Sequence, residues 1–257
     1  MCVTLQRLMQ KSSIKYQHGK NQKNSVRYNM IEWLGHADAA LMVWLNAVHN
    51  SFFDGFMYLT SEKWVWVPVY TAIFVAVVMK YGFTRRMAAV VALFAITITL
   101  ADSTCAAYLR PIFCRPRPCR PDSPIYELIH VVNGYRGGHY GMPSCHSANS
   151  FALAALVALV FRKRRLTAFI YIWAVIHTYS RIYLGVHYPG DIVVGGVVGT
   201  LYALGVYYTV MVFTGHKKEL TTRPLPANIV LATGCAIFTL LVIVPATRFY
   251  PLLLQIL

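Results

Sequence analysis

Three groups of polar residues in this chain have the types and spacings needed to handle a phosphate ester. Ser180-Arg181 is followed after five residues by His187 and after three more by Asp191. Pro143-Ser144-Cys145-His146 forms a second group, and Arg110 with Arg117-Pro118, seven positions apart, forms a third. Hydrolysis of a phosphate ester needs neutralised oxygen charge, an in-line nucleophile and an acid for the leaving oxygen. Arg110, Arg117 and Arg181 offer three guanidinium forks, which match phosphate oxygens two at a time. His187 can attack phosphorus if its other ring nitrogen is held by a carboxylate, and Asp191 stands four residues on. His146 is left as the general acid. Ser144 and the amides of Cys145 and His146 sit where a helix would begin, a natural place for an anion. Each residue also has a plainer reading. Ser144 and Asp191 are both good N-caps, and a single histidine at a membrane interface is commonly structural. Their joint occurrence favours chemistry.

The elements that must position them are apolar. Of the 257 residues 57% are apolar and only 13% charged, against roughly 25% charged in a soluble domain. That excludes an ordinary cytosolic enzyme, a disordered chain and a coiled coil. Apolar segments at about 64–80, 87–109, 144–161, 166–183, 191–213 and 229–250 have the length of roughly 20 residues that a helix needs to cross a bilayer. The expected fold is therefore an all-α, polytopic membrane helix bundle with six spans. Segment 37–62 is also apolar but is interrupted by Asp38, Asn46, His49, Asp54 and Gly55. It reads as an interfacial amphipathic helix or pair of helices, with a seventh span as the alternative. Residues 1–29 are polar and basic with no apolar signal-peptide core. Either they form a disordered tail ahead of one membrane-embedded domain, 30–257, or translation begins at Met30.

Charge sets the expected orientation. The net charge is +15, from 24 Lys and Arg against 9 Asp and Glu, and it gathers in loops between apolar blocks, which disfavours nucleic acid as a partner. Three short loops, around Lys80–Arg86, Arg162–Arg165 and Lys217–Arg223, carry ten basic residues and by the positive-inside rule face the cytoplasm. The three polar groups then meet on the opposite face, at the ends of helices two and four and the starts of three and five. That face also carries Arg115, Arg120 and Arg136, and arginines kept on the disfavoured side call for a bound anion. No carboxylate pair or His/Cys cluster has the spacing of metal ligands, so no metal is expected. Cys114 and Cys119 are close enough in sequence to pair in an oxidising compartment. Asp102 is an intramembrane carboxylate eight residues before Arg110, suited either to supporting the site or to bonding a neighbouring helix. Gly195, Gly196 and Gly199 suit close helix packing.

Together these groups resemble the type 2 phosphatidic-acid phosphatase family, related to vanadium haloperoxidases and glucose-6-phosphatase. Its motifs are K-x6-R-P, P-S-G-H and S-R-x5-H-x3-D. The third is matched at every fixed position as SRIYLGVHYPGD, and the others with one change each: Arg110 stands for Lys and Cys145 for Gly. The resemblance covers about residues 60–213. It implies hydrolysis of a phosphate monoester or pyrophosphate on a membrane lipid through a phosphohistidine, with no cofactor and no metal. His187, His146 and Asp191 would be catalytic, and Arg110, Arg117, Ser144, Cys145 and Arg181 would bind phosphate. The seven-residue register selects Arg110 and Arg117, leaving Arg115 and Arg120 as solvated or headgroup contacts. Undecaprenyl pyrophosphate, lipid A, phosphatidylglycerol phosphate and phosphatidic acid all present the required group. The place implied is a bacterial inner membrane with the site on its periplasmic face; the oligomeric state stays open. A vanadate-dependent haloperoxidase is the rival enzyme and an anion or lipid transporter the rival non-enzyme, though a transport path would spread charge through the spans. The charge pattern predicts that a reporter fused after Lys218 behaves as cytoplasmic; activity there only on export would reverse the topology.

Overall fold

The computed structural model describes residues 22–213 and 224–246; most of the basic tail and the Lys217–Arg223 loop lie outside the described residues. The helices are α1 (Gln22–Asn46), α2 (Ser51–Ser61), α3 (Val67–Tyr81), α4 (Arg85–Ser103), α5 (Arg110–Phe113), α6 (Cys145–Phe161), α7 (Arg164–Tyr183), α8 (Pro189–Phe213) and α9 (Pro224–Ile243). Among the described residues the β structure is one isolated antiparallel bridge, Pro116 to Tyr140. Each of the six apolar segments is a helix. Helix α1 begins at Gln22, so the boundary expected at residue 30 falls inside a helix.

Local chemistry sets the helix ends. Thr84 caps α4 by accepting from the Met87 amide at 3.3 Å, and α3 stops at Gly82, whose φ of 63° is left-handed. Ser144 caps α6, accepting from the Ser147 amide at 3.4 Å. From Thr104 to Leu109 the chain widens into a π-helical turn before α5, so Arg85–Phe113 is one helical run, ended by Cys114 at φ 48°.

Helix α6 is the enclosed centre, packed against α4, α7 and α8, while α9 packs on α3. Ala148, Ala152, Leu156 and Val157 of α6 are fully buried. The outside is apolar: Ile96 on α4, Ile172 on α7 and Val193 and Leu201 on α8 are each half exposed or more. Such a belt belongs in hydrocarbon, and the chain is an integral membrane protein. By length and composition Lys63–Tyr81, Arg85–Phe113, Pro189–Val210 and Pro226–Ile243 can each cross a bilayer; α6 is shorter, at 17 residues.

The polar interruptions of segment 37–62 have protein partners. Asn46 Nδ2 donates to the Tyr183 carbonyl at 2.7 Å, and its Oδ1 accepts from the His130 amide at 2.7 Å. Asp54 accepts from the Tyr183 hydroxyl at 2.7 Å and pairs with His130 at 3.1 Å. Helices α1 and α2 are thus tied to the C-terminal end of α7 and to the 114–143 loop.

The bundle closes most tightly between α6 and α8. A Cβ on Gly195 would collide with the Ser144 carbonyl, and one on Gly199 with the Ala148 carbonyl, so the two backbones touch. Gly205, farther along α8, faces open space. Gly199→Leu should therefore cost stability and at least tenfold in activity, since overpacking costs typically 1–3 kcal/mol and here must push helices apart. Gly205→Leu should leave both near wild type, as checked by thermal unfolding and activity of the two purified variants.

Candidate active site

The turn between α7 and α8 builds the centre of the site. Gly185, at φ 75°, reverses the chain after α7, and a Cβ there would strike Ile129 and the His130 carbonyl. The turn is pinned to the 114–143 loop by the Cys119 amide, which donates to the Gly185 carbonyl at 3.1 Å. His187 follows, buried, with Nδ1 3.3 Å from Asp191 Oδ2. The same oxygen accepts from the Tyr188 amide at 3.0 Å, so Asp191 is the third residue of α8, reaching back to the residue before the helix, and not the N-cap that its place after Pro189-Gly190 suggests. Arg117 Nη1 donates to His187 Nε2 at 2.9 Å and to the Val186 carbonyl at 3.0 Å. A guanidinium can only donate. Nε2 therefore carries the lone pair, and Nδ1 carries the proton facing Asp191. Burial, then the charges of Arg117, Arg181 and Arg110, hold the His187 pKa well below its ordinary 6.5, so the ring is neutral at physiological pH. A neutral imidazole with an unprotonated Nε2 and a carboxylate behind Nδ1 has the form of a nucleophile.

Around it stand the arginines. Arg181 is buried, bonded to Ser61 Oγ and, at 3.1 Å, to the Tyr135 hydroxyl, with the Tyr135 ring 5.2 Å from its guanidinium carbon. Among the described residues no carboxylate pairs with Arg110, Arg117 or Arg181. The Nε of each of the three is buried without a partner. Three cations with spare donors and no counter-charge are costly unless an anion joins them. Burial and the two neighbouring arginines push Arg117 down to about 10, leaving it charged at neutral pH. Gly141 makes room: a Cβ there would lie 2.9 Å from Asp191 Oδ2 and 3.2 Å from Arg117 Cγ.

The start of α6 meets this centre. The Ser144 amide donates to the Asp191 carbonyl at 3.0 Å, and Ser147 Oγ to the Ile192 carbonyl at 2.6 Å. The two departures from the family motifs touch each other: Arg110 Nη2 donates to Cys145 Sγ at 3.0 Å and to the Pro143 carbonyl at 3.2 Å. The thiol faces Arg110 and the Asp102 carbonyl. His146 stacks on His177 with ring centroids 5.8 Å apart, and His177 accepts from or donates to Ser150 Oγ at 2.9 Å. Asp102 accepts from Asn149 Nδ2 at 2.9 Å, the bond to a neighbouring helix that was one of its two readings. A cavity of about 590 Å³ opens beside His146 and runs between α3, α4, α6 and α7 past Phe74, Val77, Phe94 and Leu153.

Two expectations need correction. Arg115 is no solvated side group: its Nη1 lies 2.6 Å from Asp38 Oδ2 and 3.2 Å from Asp191 Oδ1, and its guanidinium stacks over Tyr188 at 3.6 Å. Cys119 is a buried free thiol, so it forms no bridge with Cys114. Asp38, Ser61, Tyr135 and Gly141 also belong to the site's surroundings, and no spacing in the sequence marks them.

An end-of-bundle site with a buried His–Asp pair inside an arginine cradle defines a membrane-embedded phosphatase. Comparison with known proteins agrees. The model of the PAP2 superfamily matches residues 87–215, and the chain belongs to that family. It is 42% identical to the lipid A 4'-phosphatase of Bacteroides thetaiotaomicron over 195 residues, 76% of this chain and 86% of the relative. It is 33% identical to that of Porphyromonas gingivalis over 69% of this chain and 74% of the relative. The fold is similar to the crystal structure of Aquifex aeolicus LpxE, with a TM-score of 0.51 and 23% identity over 66% of this chain and 93% of that one. It is equally similar to the PAP2-type phosphatidylglycerolphosphate phosphatase of Bacillus subtilis, with a TM-score of 0.51 and 20% identity over 73% and 89%.

Contact between Arg110 and Cys145 predicts that Arg110→Lys and Cys145→Gly combine non-additively. The double variant should retain more phosphate-release activity than the product of the single losses allows, by the ~0.5–3 kcal/mol seen for touching residues. Losses that simply multiply would make the two positions independent.

Proposed function

We propose that this protein removes a phosphate monoester from an acylated glucosamine lipid, lipid A in the first place, at the periplasmic face of a bacterial inner membrane that it crosses six times. The observation that carries the chemistry is His187 with Nε2 unprotonated and held by Arg117, backed by Asp191 at Nδ1, inside three guanidinium groups whose Nε donors have no partner. A phosphate that takes the Arg117 donor releases the lone pair. The substrate reading is supported by the two lipid A 4'-phosphatase relatives and by the cavity, whose apolar walls beside His146 suit an acyl chain.

In this scheme His187 Nε2 attacks phosphorus while the ester P–O bond breaks and its electron pair leaves on the lipid oxygen. Arg110, Arg117 and Arg181 hold the phosphoryl oxygens and balance their charge. Asp191 steadies the Nδ1 proton as the ring gains positive character. His146 gives its proton to the leaving oxygen, and the phosphate beside it favours the protonated ring. Water then attacks the phosphohistidine and releases phosphate. Ser144 and the Cys145 amide add the electrostatics of the α6 start.

His187→Ala should abolish turnover and leave no phosphoenzyme. Loss of His146 should hurt most where the leaving oxygen is a poor leaving group. His146→Ala should fall by about 10²–10⁴-fold on a lipid monoester and clearly less on nitrophenyl phosphate. Equal losses on both, or phosphate trapped on His146, would overturn the assignment. Because guanidinium groups neutralise the phosphate, activity should persist in excess EDTA; loss restored by magnesium or zinc would show another mechanism. A phosphate-release panel of lipid A, phosphatidylglycerol phosphate, phosphatidic acid and undecaprenyl pyrophosphate tests the substrate, with lipid A expected to react fastest.

A further inference from the structure

Asp38 lies on α1, outside the residues that the family model matches. Its carboxylate makes two contacts beside the reacting centre. Oδ2 is 2.6 Å from Arg115 Nη1, and Oδ1 accepts from the Gly190 amide at 2.8 Å. Gly190 immediately precedes Asp191, and a Cβ there would come within 2.7 Å of Asp38, so the glycine admits the carboxylate. Arg115 Nη1 is shared, reaching Asp191 Oδ1 at a longer 3.2 Å, while Tyr188 holds the guanidinium flat. One cation thus sits between two carboxylates, closer to the one that does not touch His187.

We propose that Asp38 is a positioning residue for the nucleophile, acting through Arg115 and the Gly190 amide on Asp191. With Asp38 in place, Arg115 is largely neutralised by it, and Asp191 keeps a net negative charge for His187. That charge is needed when Nε2 bonds to phosphorus and the ring turns positive. Without Asp38, Arg115 and Asp191 cancel each other, and the ring develops its charge with no net negative charge behind Nδ1, since the phosphoryl oxygens are already engaged by Arg117, Arg181 and Arg110. Substrate binding is left to those three arginines, which Asp38 does not contact. The cost should therefore fall on kcat and spare KM.

This proposal rests on the phosphatase reading above, and its test separates the two. Asp38→Asn keeps an acceptor for the Gly190 amide but removes the charge. On short-chain phosphatidic acid in detergent it should lower kcat by about tenfold, the low end of the scale for outer partners, because Asp38 acts through Arg115 and Asp191. KM and the thermal unfolding midpoint should stay near wild type, and Asp38→Glu should recover most of the loss. The decisive variant is Asp38→Asn with Arg115→Gln. Removing the cation as well restores the net charge of Asp191, so the double variant should exceed Asp38→Asn in kcat. An unchanged kcat in Asp38→Asn, a loss confined to KM, or a double variant no better than the single overturns the role of Asp38 while leaving the phosphatase reading intact. A wild type that releases no phosphate from any of the lipids or from nitrophenyl phosphate would remove both.

Discussion

The site depends on how near α8 can come to α6. Two glycines on α8 let its backbone rest on the Ser144 and Ala148 carbonyls of α6. That approach allows the Ser144 amide to reach the Asp191 carbonyl and Ser147 Oγ to reach the Ile192 carbonyl. Lipid chains are as apolar as leucine, so hydrophobic burial cannot drive helices together inside a bilayer; close packing and interhelical hydrogen bonds do so instead. The His187–Asp191 pair and the Ser144–His146 group are carried by these two helices and the turn before α8. Their separation is fixed by backbone contact, which flexes less than side-chain packing.

Charge imposes the second constraint. Arg110, Arg117 and Arg181 converge on one neutral histidine without a carboxylate of their own among the described residues. Such a cluster is unfavourable when empty and favourable once a phosphate enters, so its electrostatic energy is released on binding. The aromatic and hydroxyl groups of Tyr135 and Ser61 hold Arg181 without neutralising it. Arg115, which does pair with carboxylates, stands behind Asp191, on the side of the histidine away from its lone pair.

The helices and the main site groups were legible because each follows from local chemistry. Long apolar segments make helices, and the S-R-x5-H-x3-D spacing brings His187 and Asp191 onto adjoining turns. Arg115 escapes the seven-residue register, which marks Arg110 and Arg117, because its role depends on a carboxylate 77 positions away. Asp38 and Asn46 were read as polar interruptions facing an interface. Their partners are backbone and side-chain groups of α7, α8 and the 114–143 loop, and no periodicity along α1 encodes those. Gly141 was invisible for the same reason, since only the folded loop sets its Cα against Asp191 and Arg117.

The π-helical turn at Thr104–Leu109 gives the helix before the site one residue of slack in chain length. Asp102 and Arg110 both face α6, through Asn149 and Cys145 respectively, although eight residues of regular helix would set them about 80° apart. The wider turn absorbs that offset. Ala101 and Cys105 are buried toward α6 four residues apart, and Arg110 follows after five. One residue removed from this stretch would allow an unbroken α-helix with every backbone bond made, and would leave Arg110 seven residues after Asp102, within about 20° of the same face. The hydropathy of the span would scarcely change. Descent within such a lineage should thus tolerate a single gap at this turn, whereas a second gap, with no wide turn left to absorb it, would rotate Arg110 by about 100° away from α6 and mark copies that have lost the phosphate cradle.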